Sequence, residues 1–309
     1  MGVSKKPFGQ RLKVDLIRYK SLYLFFALPV LAYYIIFKYV PLYGLQIAFK
    51  NYKITKTFWE CEWVGLKHFQ KFFSSIYFTR TLRNTLLISF LNLIFGFPAP
   101  IIFALLLNEV QNSKFKKVVQ TITYLPHFIS MVVICGLIVS FCSKDGLINS
   151  IIAFFGGTRS DLLMNKAAFR PIYILSGIWS GFGWGSIIYL SALASVDQEQ
   201  YEAAYIDGAK RFQRMIYITL PGILPTIVIK LILEIGSMMS VGSEKILLLY
   251  SPLTYEVADV ISTYVYRKGL EDNDYSYSTA VGLFNSVVNI ILLTFANTCS
   301  RKLTDTSLW

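Results

Sequence analysis

The chain has 309 residues, of which 54% are hydrophobic and only 16% are charged. Soluble domains usually carry about 25% charged residues, and apolar runs close to the ~20 residues that span a bilayer recur along this sequence. This composition excludes an ordinary soluble domain and predicts an all-α polytopic membrane protein.

The net charge of +12 would also fit a nucleic-acid-binding protein. However, the basic residues flank apolar runs, where attraction to anionic lipid head groups explains them. We therefore expect a lipid bilayer as the environment and no nucleic-acid partner. The four cysteines show no CxxC spacing, which indicates neither a metal site nor a disulfide framework.

The chain begins with a basic segment, residues 1–21, whose weak apolar stripe predicts a short amphipathic helix at the cytoplasmic membrane interface. A basic head before an apolar run could also be a secretory signal. Against that alternative, the apolar run over residues 22–40 is longer than a typical signal core, and no A-x-A-like cleavage site follows. We interpret this run as an uncleaved first span.

Six transmembrane helices are predicted within a membrane domain over residues 22–300, followed by a cytoplasmic tail over residues 301–309. Several contain Pro or Gly, which membrane helices tolerate where neighbouring helices or a polar cavity satisfy the freed backbone groups. The predicted spans are residues 22–40, 85–107, 118–142, 171–193, 216–241 and 279–299.

An even number of spans places both termini on one side of the membrane. The distribution of Lys and Arg favours the cytoplasmic side for both. Lys and Arg are equally numerous on the two sides, but the predicted inner connections are shorter, so their positive charge is denser. The predicted outer connections are long and rich in aromatic residues, which suits docking of a partner or simple capping of the bundle. They cover residues 41–84, 143–170 and 242–278.

A short polar stretch between the fourth and fifth predicted spans has a distinctive pattern. The absence of Gly and Pro predicts a helix from Gln198 to Ile206. Gly208 predicts the helix end, since Gly adopts positive φ without strain. Small side chains permit close approach of another protein, and acidic side chains can pair with its basic groups. An ordinary loop helix is the alternative.

This stretch resembles the coupling signature of permease subunits of binding-protein-dependent ABC importers. The pattern is Glu-Ala-Ala, three residues, Gly, nine residues, then Ile-x-Leu-Pro. The resemblance implies a type I ABC importer permease fold and a coupling helix over about residues 198–212 that docks on a separate ATPase. The residues it assigns to coupling are Glu202, Ala203, Ala204, Asp207, Gly208 and Pro221.

Other stretches resemble carbohydrate permeases, particularly the branch that handles oligosaccharides and polysaccharide fragments. Ser243 and Glu234 depart from that pattern, which leaves the substrate open. The stretches that carry this resemblance are residues 38–50, 63–66, 124–130, 240–242 and 255–259.

The sequence contains no motif for ATP chemistry. No Gly is followed directly by Lys, so a P-loop lysine is missing, and neither HExxH nor GxSxG occurs. We therefore expect that the chain is not an enzyme and binds no cofactor, with ATP and Mg on the partner ATPase.

Polar groups inside the spans are candidates for the substrate path, because placing them in a bilayer costs free energy. Lys230 and Glu234 lie four residues apart and can neutralise each other on one helical face. They form either a polar wall of the path or a structural ion pair. By ungapped resemblance to a maltose permease, the sugar-contact positions are Ser180, Gly181, Trp184, Glu234 and Met238.

The fourth span offers aromatic rings for sugar stacking and glycines that leave room beside the backbone. A packing seam of small residues with interfacial Trp is the alternative. We expect His127, which follows a proline, to be a hydrogen-bonded core residue near a kink.

The prediction is a permease subunit of an ATP-driven importer for a sugar, with an oligosaccharide as the favoured cargo. The resemblance implies a second homologous permease, two ATPase subunits and an extracellular solute-binding lipoprotein as partners. An ion-coupled secondary carrier of a polar solute is the alternative. It would need a relay of buried carboxylates, and Glu234 is the only well-placed midspan acid.

Overall fold

The computed structural model describes residues 18–304 and 306–309, and these are helical apart from turns and one isolated β-bridge between Lys50 and Trp63. The first seven helices are α1 (Lys20–Phe49), α2 (Lys67–Phe73), α3 (Ile76–Asn108), α4 (Ser113–Tyr124), α5 (Met131–Cys142), α6 (Leu147–Phe154) and α7 (Lys166–Leu193). The others are α8 (Gln198–Ile206), α9 (Arg211–Gly222), α10 (Leu224–Gly236), α11 (Ser243–Leu249), α12 (Tyr255–Ala258), α13 (Ile261–Tyr266) and α14 (Tyr275–Thr304). The predicted interfacial helix over residues 1–21 lies almost entirely outside the described residues.

Four helical segments of the described chain are long and apolar enough to cross a membrane. The bent pair α9–α10 is a fifth candidate if it counts as one span. Helix α7 has 28 residues but is not among them, because its Gly, Ser and Trp residues lower its hydropathy. A multi-pass helical membrane protein is confirmed, whereas the predicted number of six spans is not. The four segments are Lys20–Phe49, Ile76–Asn108, Met131–Phe154 and Tyr275–Thr304.

The predicted third span, residues 118–142, is wrong as one continuous helix. A 3-10 turn over Leu125–Phe128 separates α4 from α5. Pro126 lacks a backbone N–H, and the Ser130 side chain caps the start of α5. The membrane-crossing candidate therefore shifts to Met131–Phe154.

The predicted fifth span, residues 216–241, is bent rather than straight. Helices α9 and α10 meet at an angle of 61°, with Ile223 between them and Pro225 in the first turn of α10. Proline is tolerated there because N–H groups in the first turn lack intrahelical acceptors. By contrast, the three glycines in the middle of the predicted fourth span do not interrupt α7.

Helix α7 packs against the second half of α3, and α14 packs against α10 and the end of α1. One buried apolar cluster lies at the end of the bundle that carries α8; we call this the α8 end. Two others lie at the opposite end, where α11–α13 sit, which we call the α13 end. The α8-end cluster contains Ile101, Ala104, Tyr189, Leu193, Val196 and Ile223.

The last described residues fold back on α14. The side chain of Asn297 is buried, and its Oδ1 accepts a hydrogen bond from the Leu308 N–H at 2.7 Å. Leu308 packs with Val228 and Ile232 of α10. Residues 306–309, within the predicted tail, therefore pack against the bundle.

A buried ion pair holds the α13 end together. Asp259 is 1% exposed; its Oδ2 accepts a hydrogen bond from Arg267 Nη2 at 2.6 Å, and its Oδ1 accepts one from the Thr263 hydroxyl at 2.8 Å. Burial alone would lower the pKa of Arg267, but the hydrogen bond and charge of Asp259 outweigh it and raise that pKa.

We expect Asp259→Asn to lower the free energy of unfolding by about 3 kcal/mol, because it leaves the Arg267 charge buried without an anion. Thermal unfolding of the purified protein in detergent measures this loss. Asp272→Asn is the matched control, since Asp272 pairs with Lys268 at the same 2.6 Å but on the surface, where ion pairs contribute little. Equal melting temperatures for the two variants would contradict the prediction.

Candidate coupling and translocation sites

Helix α8 has defined caps at both ends. The Asp197 side chain accepts a hydrogen bond from the Glu199 N–H at 3.0 Å, which satisfies an unpaired group of the first turn. At the other end Gly208 has φ +79°, and the Ala209 N–H donates to the Ala204 carbonyl at 2.9 Å. This arrangement is a Schellman motif. The helix predicted from Gln198 to Ile206 and its end at Gly208 are confirmed.

Helix α8 is attached to α9 by one buried contact. The Tyr201 hydroxyl donates to Thr219 Oγ1 at 2.9 Å, and Thr219 is 1% exposed. The Tyr201 ring also packs on the apolar cluster of the α8 end. This contact therefore links α8 directly to α9.

The outward face of α8 carries most of the predicted coupling residues. Ala204 is half-buried, whereas Glu202, Ala203, Asp207 and Gly208 are exposed, as is Pro221 at the end of α9. The face nevertheless carries larger side chains than the small residues of the sequence pattern predicted. The large residues on it are Tyr205, 72% exposed, and Ile206, 84%, and the nearby Phe212 of α9 is 66% exposed. The sequence signal for the first two was their position directly after the Glu-Ala-Ala triplet.

Two cavities lie side by side between α3, α7 and α10. The first, of about 240 Å³, lies towards the α13 end. The second, of about 280 Å³, lies towards the α8 end. Polar residues lining the first are Ser89, Asn92, Tyr173, Ser180, Glu234, Ser237, Ser240 and Lys245. Residues lining the second include Asn92, Pro100, Gly181, Gly185, Tyr189, Lys230 and Glu234.

Four of the five residues predicted for the substrate path meet at these cavities. Ser180 and Met238 line the first, Gly181 lines the second, and Glu234 lines both. Trp184 is not among the residues lining these two cavities of the described chain.

Trp184 instead lies beside His127. The two rings are stacked, with centroids 4.5 Å apart and planes 4° apart, and His127 is exposed. The prediction that His127 is a hydrogen-bonded core residue is therefore wrong.

Glu234 lines both cavities. Its Oε1 accepts a hydrogen bond from Asn92 Nδ2 of α3 at 3.1 Å. Lys230 and Glu234 share the wall of the second cavity, yet none of the five ion pairs among the described residues joins them. The alternative of a direct ion pair between them is therefore not formed, and the carboxylate bonds to α3 instead.

Sequence reasoning missed Lys245, a buried cation in the first cavity. Lys245 is only 7% exposed, and its Nζ donates to the Tyr173 carbonyl at 2.7 Å. Burial lowers the pKa of Lys245 to about 8, because the ammonium loses hydration. Its neighbours Ile246 and Leu249 belong to a buried cluster, so α11 holds it in place. In the sequence, the signal for this buried cation was a single lysine directly before an apolar run.

The sequence matches a family model described as the inner membrane component of binding-protein-dependent transport systems, over residues 96–305. The chain belongs to this family. Its relatives are ABC transporter permeases, which are not enzymes themselves, and the ATPase is a separate subunit. The permease is therefore the membrane subunit of an ABC importer, and the secondary-carrier alternative has no support from the family.

Two curated relatives from Bacillus subtilis (strain 168) cover nearly all of the permease. Protein LplB is 49% identical over 92% of the permease and 90% of its own length. The polygalacturonan/rhamnogalacturonan transport system permease protein YteP is 47% identical over 97% of the permease and 94% of its own length.

The permease is also similar to chains of solved importers. One belongs to the crystal structure of a bacterial ABC transporter involved in the import of the acidic polysaccharide alginate, with 46% identity, a TM-score of 0.88 and coverage of 95% of the permease and 99% of that chain. Another belongs to a bacterial alginate ABC transporter in complex with an alginate pentasaccharide-bound periplasmic protein. It has the same identity and TM-score, and the match covers 96% of the permease and 100% of that chain. The type I permease fold is confirmed.

Proposed function

We propose that this permease forms one half of the membrane unit of an ATP-driven importer for an oligosaccharide. The observation that carries this proposal is the polar cavity between α3, α7 and α10, lined by serine hydroxyls and the Glu234 carboxylate. Such groups suit the hydroxyls of a sugar. YteP belongs to a polygalacturonan/rhamnogalacturonan transport system and the alginate transporter imports an acidic polysaccharide, which supports the same class.

The proposed assembly contains a second homologous permease, two ATPase subunits that hold ATP and Mg, and an extracellular solute-binding lipoprotein. The complex of an alginate transporter with its periplasmic protein supports the last of these. We further propose that α7 and the α9–α10 pair also cross the membrane, which gives six spans with both termini in the cytoplasm. The α13 end then faces outside, and α8 faces the cytoplasm.

In this assembly α8 is the coupling helix. Ala203 and Ala204 permit close approach to the ATPase, while Glu202 and Asp207 pair with its basic groups. The exposed Tyr205 adds apolar contact area. Gly208 ends the helix, and Pro221 lies close to the bend that follows α9.

ATP binding would close the ATPase pair, move α8 and turn the permease pair from inward-facing to outward-facing. Rigid-body movement of two halves about a site near the bilayer midplane suits this mechanism. The proposed path residues are Ser180, Gly181, Glu234 and Met238, with Trp184 as a further contact beside His127.

Reconstitution of the whole importer into proteoliposomes tests this function. We expect uptake of a labelled oligosaccharide only with enclosed ATP and Mg and with the binding protein outside. Vesicles without ATP but with an imposed proton or sodium gradient are the control. Uptake driven by the gradient alone, with no nucleotide hydrolysed, would contradict the proposal and favour a secondary carrier.

A further inference from the structure

The first cavity contains a buried ammonium group that has no anionic partner. Lys245 is more than nine-tenths buried, and among the residues that the structure describes no carboxylate lies within 4.0 Å of its Nζ. Burial of an unpaired charge is costly. A protein retains such a group where it has a use for the charge.

The surroundings of Lys245 satisfy only part of the ammonium. Its Nζ donates to the Tyr173 carbonyl at 2.7 Å and lies 4.6 Å from the centre of the Tyr173 ring. A lysine ammonium has three N–H donors, so two remain for a ligand. The absent side chain of Gly177 keeps this space open, since a Cβ there would lie 3.2 Å from Nζ.

The two charged groups of the cavity belong to different helices and do not neutralise each other. Glu234 on α10 is hydrogen-bonded to Asn92, whereas Lys245 on α11 contacts α7. A ligand in this cavity therefore meets a cation at one part of the wall and a hydrogen-bond acceptor at another. A sugar that carries both an anionic group and hydroxyls satisfies both.

A second cation lies on α7 towards the α13 end. Arg170 donates to the Val257 carbonyl at 3.1 Å and to Asn84 Oδ1 at 2.9 Å. Among the described residues, no carboxylate is within 4.0 Å of it either. It is three residues before Tyr173, about one helical turn away. Positive charge thus continues from the first cavity towards the α13 end.

We propose that Lys245 binds a carboxylate of the cargo, and that the importer therefore carries an acidic, uronate-containing oligosaccharide. This inference rests on the proposed function and adds the substrate class and the residue that selects it. A volume of about 240 Å³ is below the ~300–1,000 Å³ usual for ligand pockets, so the cavity receives one sugar unit at a time.

Uptake by the reconstituted importer tests this assignment with trigalacturonate, its methyl ester and maltotriose as probes. The ester removes the negative charges and keeps the sugar ring. We expect uptake of trigalacturonate to exceed that of the ester at least about tenfold, since a hydrogen bond to a charged group has roughly that effect. Equal uptake of acid and ester, or uptake of maltotriose alone, would overturn the proposal. Uptake of none of the probes, together with no ATP-dependent uptake of any sugar, would contradict the proposed function instead.

Variants of Lys245 provide the second test of the proposal. Lys245→Met should lower uptake of trigalacturonate about tenfold or more and abolish the preference for acid over ester, while Lys245→Arg should keep the preference. Lys166→Met is the matched control, because Lys166 already pairs with Glu256 at the surface. Thermal unfolding of each purified variant separates lost selectivity from lost folding. An unchanged preference in Lys245→Met would overturn the assignment, and the ester comparison on the unaltered protein stands even if that variant does not fold.

Discussion

Replacement of Gly208 by aspartate is expected to abolish uptake while the permease still inserts and assembles. Gly208 has φ +79° and no atom within 4 Å of a Cβ built there, so a side chain fits but the backbone conformation is disfavoured. Aspartate would also place an additional carboxylate on the exposed face of α8. Both effects alter the surface that we propose docks on the ATPase.

Uptake and binding-protein-stimulated ATP hydrolysis, measured in proteoliposomes, are the readouts for Gly208→Asp. Gly156→Asp is the matched control, because Gly156 has φ +83° and open space around its Cβ but follows α6, away from α8. It imposes a similar backbone strain, and we expect it to leave uptake intact. Unimpaired uptake in Gly208→Asp, or an equal loss in both variants, would count against the coupling role.

Replacement of Gly183 by alanine is expected to destabilise the fold strongly. Gly183 is buried in α7, where an added Cβ would lie 2.1 Å from the backbone oxygen of Thr123 in α4. Because that atom belongs to a helix backbone, the two helices must separate. Overpacking of this kind costs typically about 1–3 kcal/mol and occasionally more, and we expect a value near 3 kcal/mol.

Gly181→Ala is the control for this prediction. Gly181 is two residues away in the same helix, yet nothing lies within 4 Å of its Cβ position. Thermal unfolding in detergent should show a lower melting temperature for Gly183→Ala and little change for Gly181→Ala. Equal melting temperatures would show that α4 and α7 do not pack as closely as described.

The features predicted well from the sequence depend on local patterns. The bounds of α8 follow from the absence of Gly and Pro between Gln198 and Ile206 and from the single glycine that ends it. A kink at Pro126 was predicted, but the complete break between α4 and α5 was not, although Pro126 and Ser130 are local signals for it. Hydropathy averaged over a span hides such a break, because both flanking helices contribute apolar residues.

The features predicted poorly depend on contacts between distant parts of the chain. Glu234 bonds to Asn92, which is 142 positions away, so the four-residue spacing to Lys230 did not reveal its hydrogen-bond partner. Lys245 was overlooked in a segment predicted to be a connection, and only the packing of α11 on α5 and α13, with the hydrogen bond to α7, makes it a buried cavity residue. The assignment of residues to the cavity wall likewise needed the three-dimensional arrangement of α3, α7 and α10.

The angle of 61° between α9 and α10 has a mechanical consequence. Helix α8 is attached to α9 through Tyr201 and Thr219, and α10 carries Glu234, which lines both cavities. A push along the axis of α9 therefore reaches α10 obliquely, and part of it becomes a sideways displacement relative to α3. In the proposed mechanism, a short movement of α8 at the membrane surface would in this way widen or narrow the space between α10 and α3 that the two cavities occupy.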